Sequence, residues 1–433
     1  MASLQQTLWP VEEAANAASS GLKNSSTFLD NTALPIHRWF RYSAGFSALW
    51  VNEAIRSVPK QSHVQVLDPF AGSGSVLIEG ERCGVRSMGV EAHPFVARVA
   101  RTKLLWRKSP GEFREYALEI LAEARERCGD AEGYPPLIAK CFPPKILAHL
   151  DALKRAWGAR ANGQPVSELT WLALTSVLRI CSPVGTAQWQ YVLPNKTKVR
   201  TILPFKAFES QVYLMSEDMR LRQRESPGPP SQLIQEDARS CSSIPDEWAS
   251  LVITSPPYAN NYDYADATRL EMSFFMDISG WGDLQEAVRK YLIRSCTQHV
   301  AKIQTETSPM LGHGLLAPIR KELTQACEQL AAERENHGGK KPYHTMIAAY
   351  FRDLAEVWVA LRRKTSTGAT VCFVIGDSAP YGIHVPVDRW LGELAIAAGF
   401  KSYRFEKIRD RNIKWKNRKH RVPLKEGRLW VAG

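Results

Sequence analysis

The sequence predicts an α/β protein on an open, mostly parallel, doubly wound sheet, interrupted by two largely helical insertions. Three observations point there. Short apolar runs alternate with helix-like stretches near both ends of the 433-residue chain. One run, His63 to Leu67, leads into the glycine-rich turn Asp68-Pro69-Phe70-Ala71-Gly72-Ser73-Gly74-Ser75, and a helical stretch follows. Another, Thr370 to Ile375, is wholly apolar and β-branched, as a strand buried on both faces must be.

Taken in order, residues 1–35 are rich in Ala, Ser and Asn and read as a tail or a loosely attached helix. They lack the apolar core of a secretory signal. His37 to Tyr42 alternates basic and aromatic residues, and Phe46 to Ile55 is an apolar helix candidate. Val76 to Arg82 is the helix after the turn, Ser87 to Glu91 a second strand, and Pro94 opens another helix. Residues 104–230 form a mostly helical insertion, with Pro-Pro breaks at 135 and 143 and a linker-like Ser226 to Ser231. Strand candidates resume at Gln232 to Gln235 and Leu251 to Thr254. A second, polar insertion covers 280–341. Thr345 to Lys364 is a long amphipathic helix, Val387 to Ala398 another, and Lys401 to Ile408 with Leu429 to Ala432 a closing hairpin. Residues 36–103, 231–279 and 342–433 thus form one sheet-bearing domain around the two insertions.

Composition narrows the function. Hydrophobic residues make up 44% and charged residues 23%, ordinary for a soluble globular protein. No apolar run approaches the roughly 18 residues a bilayer span needs, so the expected place is the cytoplasm, with no membrane partner. None of the eight cysteines forms a C-x-x-C pair, which speaks against a zinc site; no metal is expected. The net charge of +12 favours a polyanion as partner.

Two turns carry the chemistry. In the first, Gly72 and Gly74 permit positive φ and close backbone approach, and the following helix aims free N–H groups at whatever lies there. Glu91 ends the second strand, where a carboxylate accepts hydrogen bonds from both ribose hydroxyls of a nucleotide-like cofactor; a solvated or capping carboxylate is the plainer alternative. The second turn is Ser255-Pro256-Pro257-Tyr258. An exocyclic amine on a nucleobase is a poor nucleophile, because its lone pair is delocalised into the ring. The Ser255 hydroxyl and Pro256 carbonyl supply two acceptors for its hydrogens, the paired prolines stiffen the turn, and Tyr258 offers a face on which a base stacks, worth about 1–3 kcal/mol.

These two turns together resemble the amino-methyltransferases of DNA, which methylate the exocyclic nitrogen of cytosine or adenine from S-adenosylmethionine. The Asp68-Pro69-Phe70 start differs from the dinucleotide fingerprint, whose third glycine position is Leu77 here. The resemblance implies a Rossmann-like methyltransferase fold with a seven-stranded sheet. It implies that Asp68 and Phe70 sit by the cofactor, Asp68 near its methionine amino group. Asp237 would accept from the adenine amine, with the adjacent Glu236 as the alternative reader. Phe46-Ser47 matches the motif that contacts the cofactor carboxylate, although a core Phe and a helix-capping Ser explain the pair equally well. A Ser in the first position of the second turn goes mostly with cytosine N4. The implied reaction is sequence-specific methylation of a flipped base in duplex DNA, in a restriction-modification setting with a cognate endonuclease as possible partner; N6-adenine methylation, an RNA amino-methyltransferase and a catalytically silent DNA-binding subunit are the alternatives. A protein-glutamine methyltransferase uses a similar turn, usually with Asn first. Residues 104–230 are the candidate target-recognition region.

Basic stretches complete the expectation. Arg409 to Arg421 carries seven Lys/Arg and one acid around Trp415; Arg411, Lys414, Trp415, Lys416, Arg418, Lys419 and Arg421 are the candidate nucleic-acid contacts, against the plainer possibility of a solvated face. His37 to Tyr42 is a second basic-aromatic cluster. Asn260, Asn261, Tyr262 and Asp263 are candidates to line the base pocket, with Asp263 or Asp266 as a compensating carboxylate or as loop and cap residues. Gly376-Asp377-Ser378 shapes that pocket or is a plain turn. All of this requires the two turns to lie at one rim of the sheet.

Overall fold

The computed structural model describes residues 30–42, 45–58, 64–127, 129–186, 191–198, 200–225, 228–301, 307–411 and 423–433. Helix α1 (Ala48–Arg56) leads to β1 (Gln65–Asp68), then α2 (Ser75–Cys83), β2 (Arg86–Val90) and α3 (Pro94–Lys103). The first insertion holds α4 (Pro110–Glu126), α5 (Pro136–Cys141), α6 (Pro144–Arg160) and α7 (Pro165–Cys181), a ribbon of β3 (Val184–Thr186) and β4 (Val192–Thr197), and α8 (Pro204–Gln223). Each of α3 to α8 opens with a proline in its first turn, where the missing N–H costs nothing. Next come β5 (Gln232–Ile234), β6 (Ala249–Thr254), the short α9 (Arg269–Phe274), α10 (Arg320–Asn336) and α11 (Tyr343–Lys364). The chain closes with β7 (Thr365–Gly376), α12 (Val387–Ala397), β8 (Ser402–Arg411) and β9 (Leu424–Ala432).

Seven strands form one sheet in the order β5-β2-β1-β6-β7-β9-β8. The pairs from β5 to β7 are parallel; β9 is antiparallel to both β7 and β8. This is the Rossmann-like methyltransferase architecture that the turns implied. Successive residues of the central strands alternate between two cores, as period-2 side chains must. Val66, Leu251, Ile253, Cys372 and Val374 pack on Trp50, Val51 and Val76 of α1 and α2. Leu67, Val252, Val371, Phe373 and Ile375 pack on Leu354, Trp358 and Leu361 of α11. The strand order reverses between β2-β1 and β1-β6, so the carboxyl ends of β1 and β6 flank the crevice in which such sheets bind ligands.

The first insertion builds on the sheet domain. Phe95, Val96 and Val99 of α3 share a continuous hydrophobic core with residues of α4 to α8. Lys103, at the end of α3, is buried and donates to the carbonyl oxygens of His37 (3.0 Å) and Phe40 (3.4 Å); burial brings its amine down to about 7.

Two expectations change here. The basic-aromatic cluster at His37 to Tyr42 is an internal joint. His37, Trp39 and Phe40 are buried, His37 lies 2.8 Å from Glu79, and Arg38 and the Trp39 indole both donate to the buried Asp218 of α8. The ribbon β3–β4 was unexpected in a segment read as helical, since its strands are short and Asn195, Lys196 and Thr197 show no apolar alternation. Among the described residues, no helix is long and apolar enough to cross a membrane.

Asp218 accepts from the Ile36 amide (3.2 Å), Arg38 and Trp39, so Asp218→Ala strands three buried or half-buried donors. The expected loss is about 2–4 kcal/mol in urea unfolding; a loss below about 0.5 kcal/mol, within the range of ordinary surface changes, contradicts the joint.

Candidate functional site

The first turn folds as its glycines require. Gly72 has φ of 51° and Gly74, the N-cap of α2, has φ of 89°. A Cβ on Gly74 would lie 3.4 Å from that of Ala100, so α3 packs against the bare backbone there. Asp68 ends β1, buried. Its Oδ1 accepts from the Phe70 amide (3.0 Å) and from the Thr254 hydroxyl (2.6 Å), the residue just before the second turn. Burial pushes the Asp68 carboxyl up to about 7, against the pull of those two hydrogen bonds.

Both turns open on one cleft. Pro69, Phe70 and Gly72 of the first turn and Ser255 and Pro257 of the second all line it. So do Glu91 and Asp237. Glu91 takes the Gly72 amide on one oxygen and the His93 amide on the other, each at 2.8 Å. Both bonds favour the charged form, yet burial outweighs them and its carboxyl rises to about 7. Asp237 forms a forked pair with Arg239, 2.9 and 2.5 Å from its Oδ2. Glu236 is spent elsewhere: its carboxylate collects the amides of Ser242 and Ser243 and the hydroxyl of Ser240. Of the two adjacent acids, Asp237 is the one on the cleft.

Phe46 and Ser47 do not line the cleft. Phe46 packs on Trp50 in the core, and Ser47 caps α1 by accepting from the Trp50 amide (3.3 Å). A second cavity adjoins, lined by Arg38, Arg41, Gly45, Ser73 and Ser75; Tyr42 belongs to both walls.

In the second turn, the Ser255 hydroxyl donates to the Val374 carbonyl across the β6–β7 pair (3.2 Å). Its hydrogen is thereby engaged, and the Tyr258 phenol is a second hydrogen-bond partner of its side chain. Tyr258 is half-buried, with the Arg411 guanidinium 5.3 Å from its ring centroid. Burial raises its phenol far above the ordinary value, Glu426 adds to that, and Arg411 opposes it. Gly376-Asp377-Ser378 abuts this turn: the Ser378 hydroxyl donates to the Ala259 carbonyl, and a Cβ on Gly376 would come 3.2 Å from Cε2 of Tyr258.

Asn260 to Asp263 and Asp266 hold the loop and do not line the cleft. Asn261, at φ of 63°, accepts from the Thr297 amide and hydroxyl, both 2.8 Å. Asp263 is buried and pairs with Arg289 (2.7 Å), with His299 3.7 Å away; although burial opposes it, these two hold its carboxyl down at about 2. Asp266 pairs with Arg269 (2.8 Å). The loop after the second turn is thus riveted to the second insertion, and Tyr291, Leu292 and Ile293 of that insertion form part of the cleft wall. Motif reasoning missed these three, along with Tyr42, His93 and Tyr264. Of these, Tyr42 stood in the basic-aromatic cluster ahead of the first turn, and Tyr264 follows the second turn's Tyr258 by six residues.

Of the candidate nucleic-acid contacts, Arg411 ends β8 and is tied to Tyr258 and to the Asp377 carbonyl (3.1 Å). Lys414, Trp415, Lys416, Arg418, Lys419 and Arg421 lie outside the described residues. The strands that flank them, β8 and β9, place both ends of that segment at the carboxyl edge of β7, beside Tyr258, since Gly376 pairs with Glu426 and Arg411 with Leu424.

No family model matches the chain. It is similar to the Type II methyltransferase M.AvaI of Nostoc sp. (strain PCC 7120 / SAG 25.82 / UTEX 2576), 24% identical over 409 residues that cover 86% of this chain and 81% of the relative. The protein of that name from Anabaena variabilis matches to the same extent. The Type II methyltransferase M.BsoBI of Geobacillus stearothermophilus is 24% identical over 429 residues, 87% of this chain and 81% of the relative.

The rivet gives a test. Asp263→Asn leaves the buried Arg289 without its counter-charge, an expected loss of about 3 kcal/mol at pH 7. Because the folded carboxyl titrates at about 2 and an unfolded one at about 3.9, the wild type's advantage holds above the unfolded value and fades as pH falls from there towards 2. Equal stability of the two proteins at pH 7 by denaturant titration contradicts the pairing.

Proposed function

We propose that this chain is an S-adenosylmethionine-dependent DNA methyltransferase of the Type II, restriction-modification kind, acting on the exocyclic amine of a flipped base, with cytosine N4 as the favoured target. One observation carries the proposal: the glycine turn after β1 and the Ser-Pro-Pro-Tyr turn after β6 line the same cleft. Similarity to Type II methyltransferases over most of the chain supports it independently.

The residues present suit the cofactor. Phe70, Tyr42 and Tyr264 give flat apolar walls, Glu91 has lone pairs for the ribose hydroxyls, and Asp237 stands ready for the adenine amine. Asp68, at the base of the turn, is the counter-charge for the methionine ammonium. Gly72 and Gly74 keep the backbone low enough for close approach. When bound, S-adenosylmethionine supplies a methyl group on a positively charged sulfur.

The chain's own part is positioning and electrostatics. Ser255, its hydrogen held by Val374, accepts one hydrogen of the target amine. The Pro256 carbonyl accepts the other, which draws the nitrogen out of conjugation and frees its lone pair. Tyr258 receives the base on its ring. The nitrogen gains a methyl and gives up one proton, which passes to water because neither acceptor is a strong base. Ser255 as the first residue favours cytosine N4 over adenine N6. Asp263 adds no free carboxylate to the site, since Arg289 neutralises it.

Incubation with labelled cofactor and mixed-sequence duplex DNA, followed by nucleoside mass spectrometry, is expected to give N4-methylcytosine, and Ser255→Ala is expected to lower kcat about 100-fold or more. N6-methyladenine instead overturns the choice of base. Label in RNA alone, or none with cofactor bound, supports the RNA-enzyme or silent-subunit alternatives. Affinity for the cofactor should also depend on pH. Asp68 and Glu91 are protonated below about 7 in the free protein. A bound ammonium favours the ionised Asp68, so binding releases protons and tightens as pH rises from 6 to 8, then levels off. Calorimetry in two buffers of different ionisation heat measures this; a flat profile contradicts it.

A further inference from the structure

The cation on Tyr258 is placed too deliberately for a phosphate contact. Arg411 is the last residue of β8, in register with Leu424 of β9, so a strand and not a loop fixes its backbone. Its side chain is only 16% exposed. Nη1 donates to the Asp377 carbonyl at 3.1 Å, and Nε lies 3.7 Å from Glu426, whose carboxylate also holds Arg409 at 2.9 Å. With its head so tethered, the guanidinium sits 5.3 Å from the centre of the Tyr258 ring. The arrangement needs Gly376: a Cβ there would fall 2.4 Å from Nη1 of Arg411 and 3.2 Å from Cε2 of Tyr258.

We propose that Arg411 is a positioning residue for the acceptor base: its guanidinium backs one face of the Tyr258 ring and leaves the other for the base to stack on. The inference rests on the reading of Tyr258 as the base-stacking residue. A planar cation with fixed hydrogen bonds holds an aromatic ring more rigidly than an aliphatic neighbour does, and it draws on the ring's negative face. Tyr258 is half-buried at the end of a proline turn, its ring beside Gly376. Arg411 stiffens it before the base arrives, so less ordering remains to be done on capture. The same residue joins the catalytic turn to the basic run that begins after it in the sequence. Lysine does not replace it, because a compact ammonium cannot reach the Asp377 carbonyl and Glu426 and stand over the ring at once, as the forked guanidinium does.

The test compares Arg411→Ala, Arg411→Lys, Gly376→Ala and the Gly376→Ala/Arg411→Ala double variant of the full chain. It measures methyl transfer from tritiated S-adenosylmethionine into mixed-sequence duplex DNA, at several salt concentrations and at equal folded fraction by circular dichroism. All four are expected to lose about tenfold or more in kcat/KM for DNA. The double variant loses no more than either single one, because both break the same stack. The salt slope of binding stays at the wild-type value, and lysine gives no rescue. Rescue by lysine together with a slope reduced by about one, the mark of a lost phosphate contact, overturns the proposal and leaves the methyltransferase reading intact. So do additive losses. A wild-type chain that transfers no methyl to DNA overturns both.

Discussion

The hydrogen bond from Thr254 to Asp68 is the constraint from which the site follows. These residues end neighbouring parallel strands, one just before each functional turn. A buried carboxyl that accepts from the adjacent strand adds a side-chain tie to the backbone ladder at the two strand ends. The turns that leave them therefore emerge side by side. Remove that tie and the ladder of β1 with β6 still sets the two turns side by side, but their first residues lose the bond that joins them directly. The parallel register continues across β7, whose Val374 carbonyl orients Ser255 and whose Gly376 admits the Arg411–Tyr258 stack.

Electrostatics in the cleft follow from the same burial. Asp68 and Glu91 are raised towards neutrality because water is scarce around them. Each is short of a cation; Arg239 serves Asp237, and Arg289 serves Asp263. The two acids by the glycine turn thus lack a cationic partner, whereas Asp263 of the loop after the second turn is already neutralised by Arg289 and acts as a rivet. Neighbouring carboxylates thus serve different ends: Glu91 on the cleft and the buried Asp68 have no cation beside them, whereas Asp263 is neutralised in a joint.

Much of this was legible in sequence, for identifiable reasons. The strands next to the turns were, because their apolar runs are bounded by glycine and proline. The closing hairpin was, although β8 runs on to Arg411, into what reads as a charged tail. Period-2 packing on both faces explains why β7 stood out as an apolar run. What local pattern did not reveal depends on partners far away in the chain. His37 to Phe40 looked like a nucleic-acid surface because Asp218, some 180 residues on in the same fold, is invisible to local pattern. Tyr291 to Ile293 carry no motif, and they are held at the cleft by distant contacts such as Asp263–Arg289, Asn261–Thr297 and Arg294–Asp353. Glu236 and Asp237 were indistinguishable as neighbours until the Ser240 to Ser243 turn claimed the first. Arg411 was singled out for its charge, whereas its place beside Tyr258 depends on an absent Cβ at Gly376.

The account stands on one geometric claim, that the cofactor's reactive end faces Ser255 and Pro256 across the shared cleft. A crystal structure with S-adenosylhomocysteine bound tests it directly. The ribose is predicted on Glu91, the adenine towards Asp237, and the sulfur directed at the Ser255–Pro256 turn with room for one methyl and one amine nitrogen at a near-attack separation of about 3–3.5 Å. A ligand seated with its sulfur turned away from that turn, or bound outside the cleft, would contradict it.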